Sequence, residues 1–195
     1  MTRNEFIGKV AVECIENGVS LKIIQKEIVG GYGGWFDPNR KELVCAYKSS
    51  NGFETLIHEY HHFLQWKNRP HFWKKCSGND NPFLSWLHGD ETSKNKLTRA
   101  FNKAIELERD CEINSVKFIK KHGLNVDIER YIREANAYLY SYHYVKKYRN
   151  WPPTTIYTKK LIEKMPNKIL SLQHYKKGVD EKGNKVIVFY EQILN

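Results

Sequence analysis

The chain has 195 residues and a formal net charge of +10, long enough for a single domain with a sizeable core. No apolar run reaches the roughly 18 residues that a membrane span needs, which excludes a membrane-spanning class. Cys14, Cys45, Cys76 and Cys111 are far apart with no Cys-x-x-Cys; that excludes a zinc ribbon and a disulfide framework, and leaves reduced, buried thiols as the expectation.

Asn4 to Asn17 is expected to be a helix with Phe6, Val10, Ala11, Cys14 and Ile15 packing inward, stopped by Gly18. Leu21 to Val29 comes close to strand alternation. Gly30-Gly31-Tyr32-Gly33-Gly34 is a backbone-permissive loop that lacks the Lys-Ser/Thr of a phosphate-binding loop. Trp35-Phe36, a turn at Asp37 to Arg40, and Glu42 to Tyr47 make a hairpin.

The stretch that carries chemistry follows, Phe53 to Trp66. Leu56, Ile57, Tyr60, Phe63 and Leu64 have the spacing of an amphipathic helix, entered after Gly52 and ended by Asn68 to Pro70. Within it lies His-Glu-x-x-His: His58, Glu59 and His62. Positions four apart sit one turn apart on one face, so two imidazoles can reach one metal ion. Glu59, next to the first, can accept a proton from a water on that ion without ligating it.

Lys67 to Lys94 is polar and broken by Pro70, Gly78, Pro82 and Gly89; a long connection is expected, with a short helical piece at Phe83 to Leu87. Lys96 to His122 is a second strong helix, ended by Gly123. Asp127 can cap a third, Ile128 to Tyr148, which Trp151-Pro152-Pro153 breaks. That helix packs inward through Ile128, Tyr131, Ile132, Ala135 and Leu139, with Tyr142 continuing the stripe. Tyr138, Tyr142 and His143 on it are candidates for stabilising an oxyanion, although an aromatic stripe is more often core. Lys159 to Lys164 is a further short helix. The tail, His174 to Ile193, reads as a terminal hairpin around Asp180 to Asn184.

A catalytic zinc commonly has three protein ligands and a water. A third histidine in the metzincin position would be residue 68, which is Asn68, so that class is excluded. His71 and His88 are candidates in the connection; Glu106, Glu108, Asp110 and Glu112 are candidates on the second helix. At about 100° per residue, Phe101, Ala104, Ile105, Cys111, Ser115 and Ile119 share one face. Glu108 falls near its centre and Glu112 one turn further on, whereas Glu106 and Asp110 point largely away. Carboxylates on an apolar face are costly to bury unless paired, so Glu108 is the preferred third ligand and Glu112 a partner that orients a ligand imidazole.

At these residues the chain resembles a zinc metallopeptidase of the gluzincin type, and within it the ImmA/IrrE-type group and related metallopeptidases of phages and mobile elements. The likeness runs over the Gly-rich segment and strand, Gly33 to Tyr47, the His-Glu-x-x-His helix, and Glu108-Arg109-Asp110-Cys111-Glu112. The group's ligand glutamate falls on Glu108, its small residue on Cys111, and its Asn or Asp on Glu112. The spacer between the motifs is longer than usual for the group. The resemblance implies a zincin-like α+β fold with a small antiparallel sheet or hairpins beside a helical core. It also implies a protein or peptide substrate, a DNA-bound protein among the options, and an upstream strand that pairs with extended substrate.

The expectation is therefore a single metallopeptidase-like domain over 1–195, its motif core spanning about 30–150, that binds Zn2+ through His58, His62 and Glu108. It hydrolyses peptide bonds with Glu59 as general base. The first residues lack the apolar core of a signal peptide, so the expected location is the cytoplasm, of the host if the chain is phage-encoded. The competing reading is a basic DNA- or protein-binding regulatory module with a structural or degenerate zinc, His61, His71 or His88 supplying a fourth ligand. The lysines are spread along the chain, as solvated helix faces would have them, and nucleic acid stays a candidate partner.

Overall fold

The computed structural model describes residues 1–77, 82–153 and 158–194; Gly78, expected in the long connection, lies outside them. The protein is α+β and mostly helical. It divides into two compact units, Met1–Phe72 with Ile113–Val126, and Trp73–Glu112 with Asp127–Asn195.

The first unit opens with helix α1, Arg3–Glu16. The Thr2 hydroxyl accepts from the Glu5 N–H at 3.2 Å and the Glu5 carboxylate accepts from the Thr2 N–H at 2.7 Å, a reciprocal pairing that satisfies two otherwise orphaned donors. Phe6, Val10 and Cys14 are buried, but Ile15 is 76% exposed; it falls one residue past the buried 6-10-14 stripe, on the far side of the helix. Three strands follow: β1, Ser20–Ile24; β2, Gly34–Asp37; and β3, Glu42–Ala46. Strand order is β1-β3-β2, with β1 parallel and β2 antiparallel to β3. The sheet is thus mixed, not antiparallel as expected. Strand β1 stops at Ile24 because Gln25-Lys26-Glu27 interrupts the alternation, and Ile28 is exposed.

All five residues of β3 are buried. Helix α2, Gly52–Asn68, lies against the sheet: Phe36 of β2 meets the rings of Phe63 and Trp66 at 5.8 and 5.7 Å. Phe6 joins α1 to α2 through Phe53 and Tyr60, and to Phe118 of the downstream helix. Helix α3, Pro70–Ser77, begins where the sequence pointed to an irregular connection; Pro70 occupies the first turn, where its missing N–H costs nothing.

The second unit contains α4, Pro82–Leu87, and most of α5, Lys94–His122. It also holds α6, Ile128–Tyr148, α7, Lys159–Ile162, α8, Leu172–Lys177, and α9, Ile187–Leu194. Helix α5 is continuous, and the division between units falls within it, between Glu112 and Ile113. Asp127 caps α6 by accepting from the Arg130 N–H at 3.1 Å, and the expected inward stripe of α6 is buried at Tyr131, Ile132, Ala135, Leu139 and Tyr142. The expected terminal hairpin is absent from residues 174–193. A single bridge joins Val179 and Lys185, and then α9 begins. Val186, Phe189, Tyr190 and Ile193 pack on the core at helical spacing, which outweighs the β-branched look of that segment.

Candidate metal centre

Helix α2 places His58 and His62 one turn apart. Their rings meet edge to face, centroids 4.6 Å apart, and the two Nε2 atoms are separated by 3.0 Å. His62 is buried and His58 half-buried. The Nδ1 of His62 lies 2.8 Å from Oε1 of Gln65, a residue only 3% exposed. Two imidazoles that aim the same nitrogen at one point are suited to sharing a cation.

Glu59 is 8% exposed and faces the sheet. Strand β2 passes directly over it: a Cβ at Gly34 would lie 3.2 Å from Glu59 Cγ and 2.9 Å from Thr55 Cγ2. Cys45 of β3 is beside the same helix, its Sγ–H donating to the Gly52 carbonyl at 3.2 Å. Burial pushes that thiol up to about 12, with the nearby Glu59 carboxylate adding to the effect, and burial likewise pushes Cys14 up to about 11. Both remain protonated and inert.

Among the described residues, one group could hold a metal ion: His58, His62 and Cys111, with a ligand atom from each lying within 4.8 Å of the others. Cys111 is fully buried on α5, two residues before the stretch of that helix assigned to the first unit. Glu108, three residues earlier, is half-buried, and the Tyr142 hydroxyl is 3.4 Å from its Oε1. Glu108 is not one of the three grouped residues. Glu112 is 4% exposed and accepts from the Tyr131 hydroxyl at 2.7 Å. Glu106 pairs instead with Lys75 at 2.8 Å.

The other candidate histidines are placed otherwise. His61 is buried, with Nδ1–H donating to the Ile57 carbonyl at 2.8 Å and its ring against Tyr60 and Phe118. His71 and His88 are exposed. On α6, the Nε2–H of His143 donates to the Tyr175 carbonyl at 2.5 Å, and burial lowers its pKa. Tyr142 sits within an aromatic cluster with Phe83, Phe101 and Trp151, as core rather than as a free donor.

Gln65 was not among the expected site residues, and Cys111 was expected as a buried thiol and small residue on the apolar face of α5, not as a ligand. Nothing in the sequence sets Gln65 apart, because its burial is seen only in the structure. No protein-family model, curated protein or solved structure matches the chain. Among the described residues, no helix is long and apolar enough to cross a membrane.

Proposed function

We propose that the protein is a zinc-dependent peptidase of the gluzincin type, with His58, His62 and Glu108 as ligands and Glu59 as general base. The observation that carries this reading is the convergence of the His58 and His62 Nε2 atoms at 3.0 Å, beside a buried glutamate. The donor types suit the metal: imidazole and carboxylate are both ordinary zinc ligands, and three protein ligands would leave the fourth position of a tetrahedral ion to water.

Bound zinc supplies Lewis acidity, acidifying a water and polarising the scissile carbonyl. Glu59 accepts the water's proton and afterwards hands it to the leaving amine. Its burial under Gly34 keeps the carboxylate out of bulk water and limits where it can swing. Strand β2 is at the edge of the sheet and lies against this part of α2, which suits pairing with an extended peptide through main-chain hydrogen bonds. A glutamate retained next to the first histidine favours catalysis over a purely structural metal.

The grouping of His58 and His62 with Cys111 favours a second reading, in which the Cys111 thiolate is the third ligand. Two experiments address these readings. Glu59→Gln should keep its zinc and lose hydrolysis of an unfolded protein substrate by about 10²- to 10⁴-fold. Cobalt-substituted protein should lack an intense near-ultraviolet thiolate band and lose cobalt on Glu108→Ala. A strong thiolate band abolished by Cys111→Ser would instead assign the third position to Cys111.

A further inference from the structure

Gln65 is a polar amide shut away near the end of α2, where the side chains on the solvent face are Lys67 and Asn68. Buried amides are kept where their hydrogen bonds are met inside the protein, and here the amide oxygen meets His62 Nδ1 at 2.8 Å. A carbonyl oxygen can only accept, so Nδ1 must carry a proton. A neutral imidazole has one such proton. The other nitrogen, Nε2, is therefore a bare lone pair, and it is this atom that lies 3.0 Å from His58 Nε2.

We infer that Gln65 is a positioning residue for the metal centre: its amide oxygen selects the Nδ1–H tautomer of His62 and fixes the ring, so that Nε2 is presented to an ion before the ion arrives. The role rests on the reading of His58 and His62 as metal ligands. It belongs to the amide and not to the bulk of the side chain, because the hydrogen bond to Nδ1 determines which nitrogen stays unprotonated and how the ring is turned. Both residues are on one helix, three positions apart, a spacing at which side chains of one helix meet. Gln65 is neutral, so it orients His62 without adding charge. A carboxylate at the same position would accept the same hydrogen bond and increase the ring's donor strength.

The test has two arms. In the first, metal-free wild-type protein with 15N-labelled histidine is examined by long-range proton–nitrogen correlation at about pH 8, where an ordinary imidazole is neutral. His62 is expected to show a protonated Nδ1 and an unprotonated Nε2; a proton on Nε2 would overturn the inference. This arm needs no variant and no bound metal. In the second, zinc affinity is measured by chelator competition for the wild type, Gln65→Leu and Gln65→Glu. Leucine has similar bulk and no acceptor, and should weaken zinc binding about 10- to 100-fold; glutamate should match or exceed the wild type. Equal affinities for wild type and Gln65→Leu would overturn the inference, as would loss in Gln65→Glu equal to that in Gln65→Leu. A wild type that takes up no zinc would overturn the metal reading itself, and with it the role of Gln65.

Discussion

Replacing Gly34 by alanine probes the seat of Glu59, the proposed general base. An added Cβ would lie 2.8 Å from the Val44 carbonyl oxygen, 2.9 Å from Thr55 Cγ2 and 3.2 Å from Glu59 Cγ. The first neighbour is backbone in the fully buried central strand and cannot swing aside. The second is held by the Thr55 hydroxyl, which donates to the Asn51 carbonyl at 3.0 Å. Gly34 is not in the positive-φ region, so the penalty is one of space alone. Overpacking of this kind costs about 1–3 kcal/mol, and backbone as the obstacle puts it toward the top of that range. Reduced freedom of the unfolded chain returns about 0.5–1 kcal/mol, leaving a net loss of about 1.5–2.5 kcal/mol. Gly8 is the control: it is on the exposed face of α1 with nothing within 4 Å of an added Cβ, so alanine there should stabilise by about 0.5–1 kcal/mol. Urea unfolding of both variants gives opposite shifts in midpoint at unchanged slope. A Gly34→Ala protein as stable as the wild type, beside the expected gain at Gly8, would refute the close seating of β2 on Thr55 and Glu59.

Burial works to raise the Glu13 carboxyl, but hydrogen bonds from Lys9 and Tyr60, with the charges of Lys9 and Lys67, outweigh it and hold the group below its ordinary 4.5. A lowered folded-state value stabilises at pH above the unfolded value and is lost as pH falls through the folded one. Glu13→Gln should therefore flatten the decline of stability below about pH 4.5, measured by urea midpoints across an acid series; an unchanged decline would contradict the assignment. Asn136 is fully buried, donating to the Pro166 and Lys168 carbonyls at 2.7 and 3.0 Å and accepting from the Tyr175 hydroxyl. Asn136→Ala strands three partners and should cost about 3 kcal/mol or more by thermal or urea unfolding; a loss under about 1 kcal/mol would show that the pocket re-satisfies them.

Helix α2 was legible because its apolar residues keep a helical period around His58 and His62, four apart on one face. The helix ends were readable where punctuation is plain, Asp127 at the start of α6 and Gly18 and Gly123 after α1 and α5, whereas the Thr2 cap that starts α1 one residue before the expected Asn4 was not. Residues 186–193 were not, because Val-Ile-Val-Phe-Tyr is apolar on every side, and only burial of Val186 with Tyr190 reveals a period of four rather than two. Pro70 breaks a helix when it follows one and begins a helix when it precedes one; nothing local says which. Strand β1 was readable as extended, but its pairing parallel to β3 depends on a long-range arrangement that alternation does not encode. Gln65 was hidden because a lone glutamine near a helix end looks like solvent-exposed surface until its burial is known.

Zinc titration of the metal-free protein, beside His58→Ala and His62→Ala, tests the metal centre most directly. Wild type should bind about one equivalent, and each histidine variant should lose affinity by about 100-fold or more. No zinc uptake by the wild type, or uptake unchanged in both variants, would contradict the assignment of the two α2 imidazoles as metal ligands.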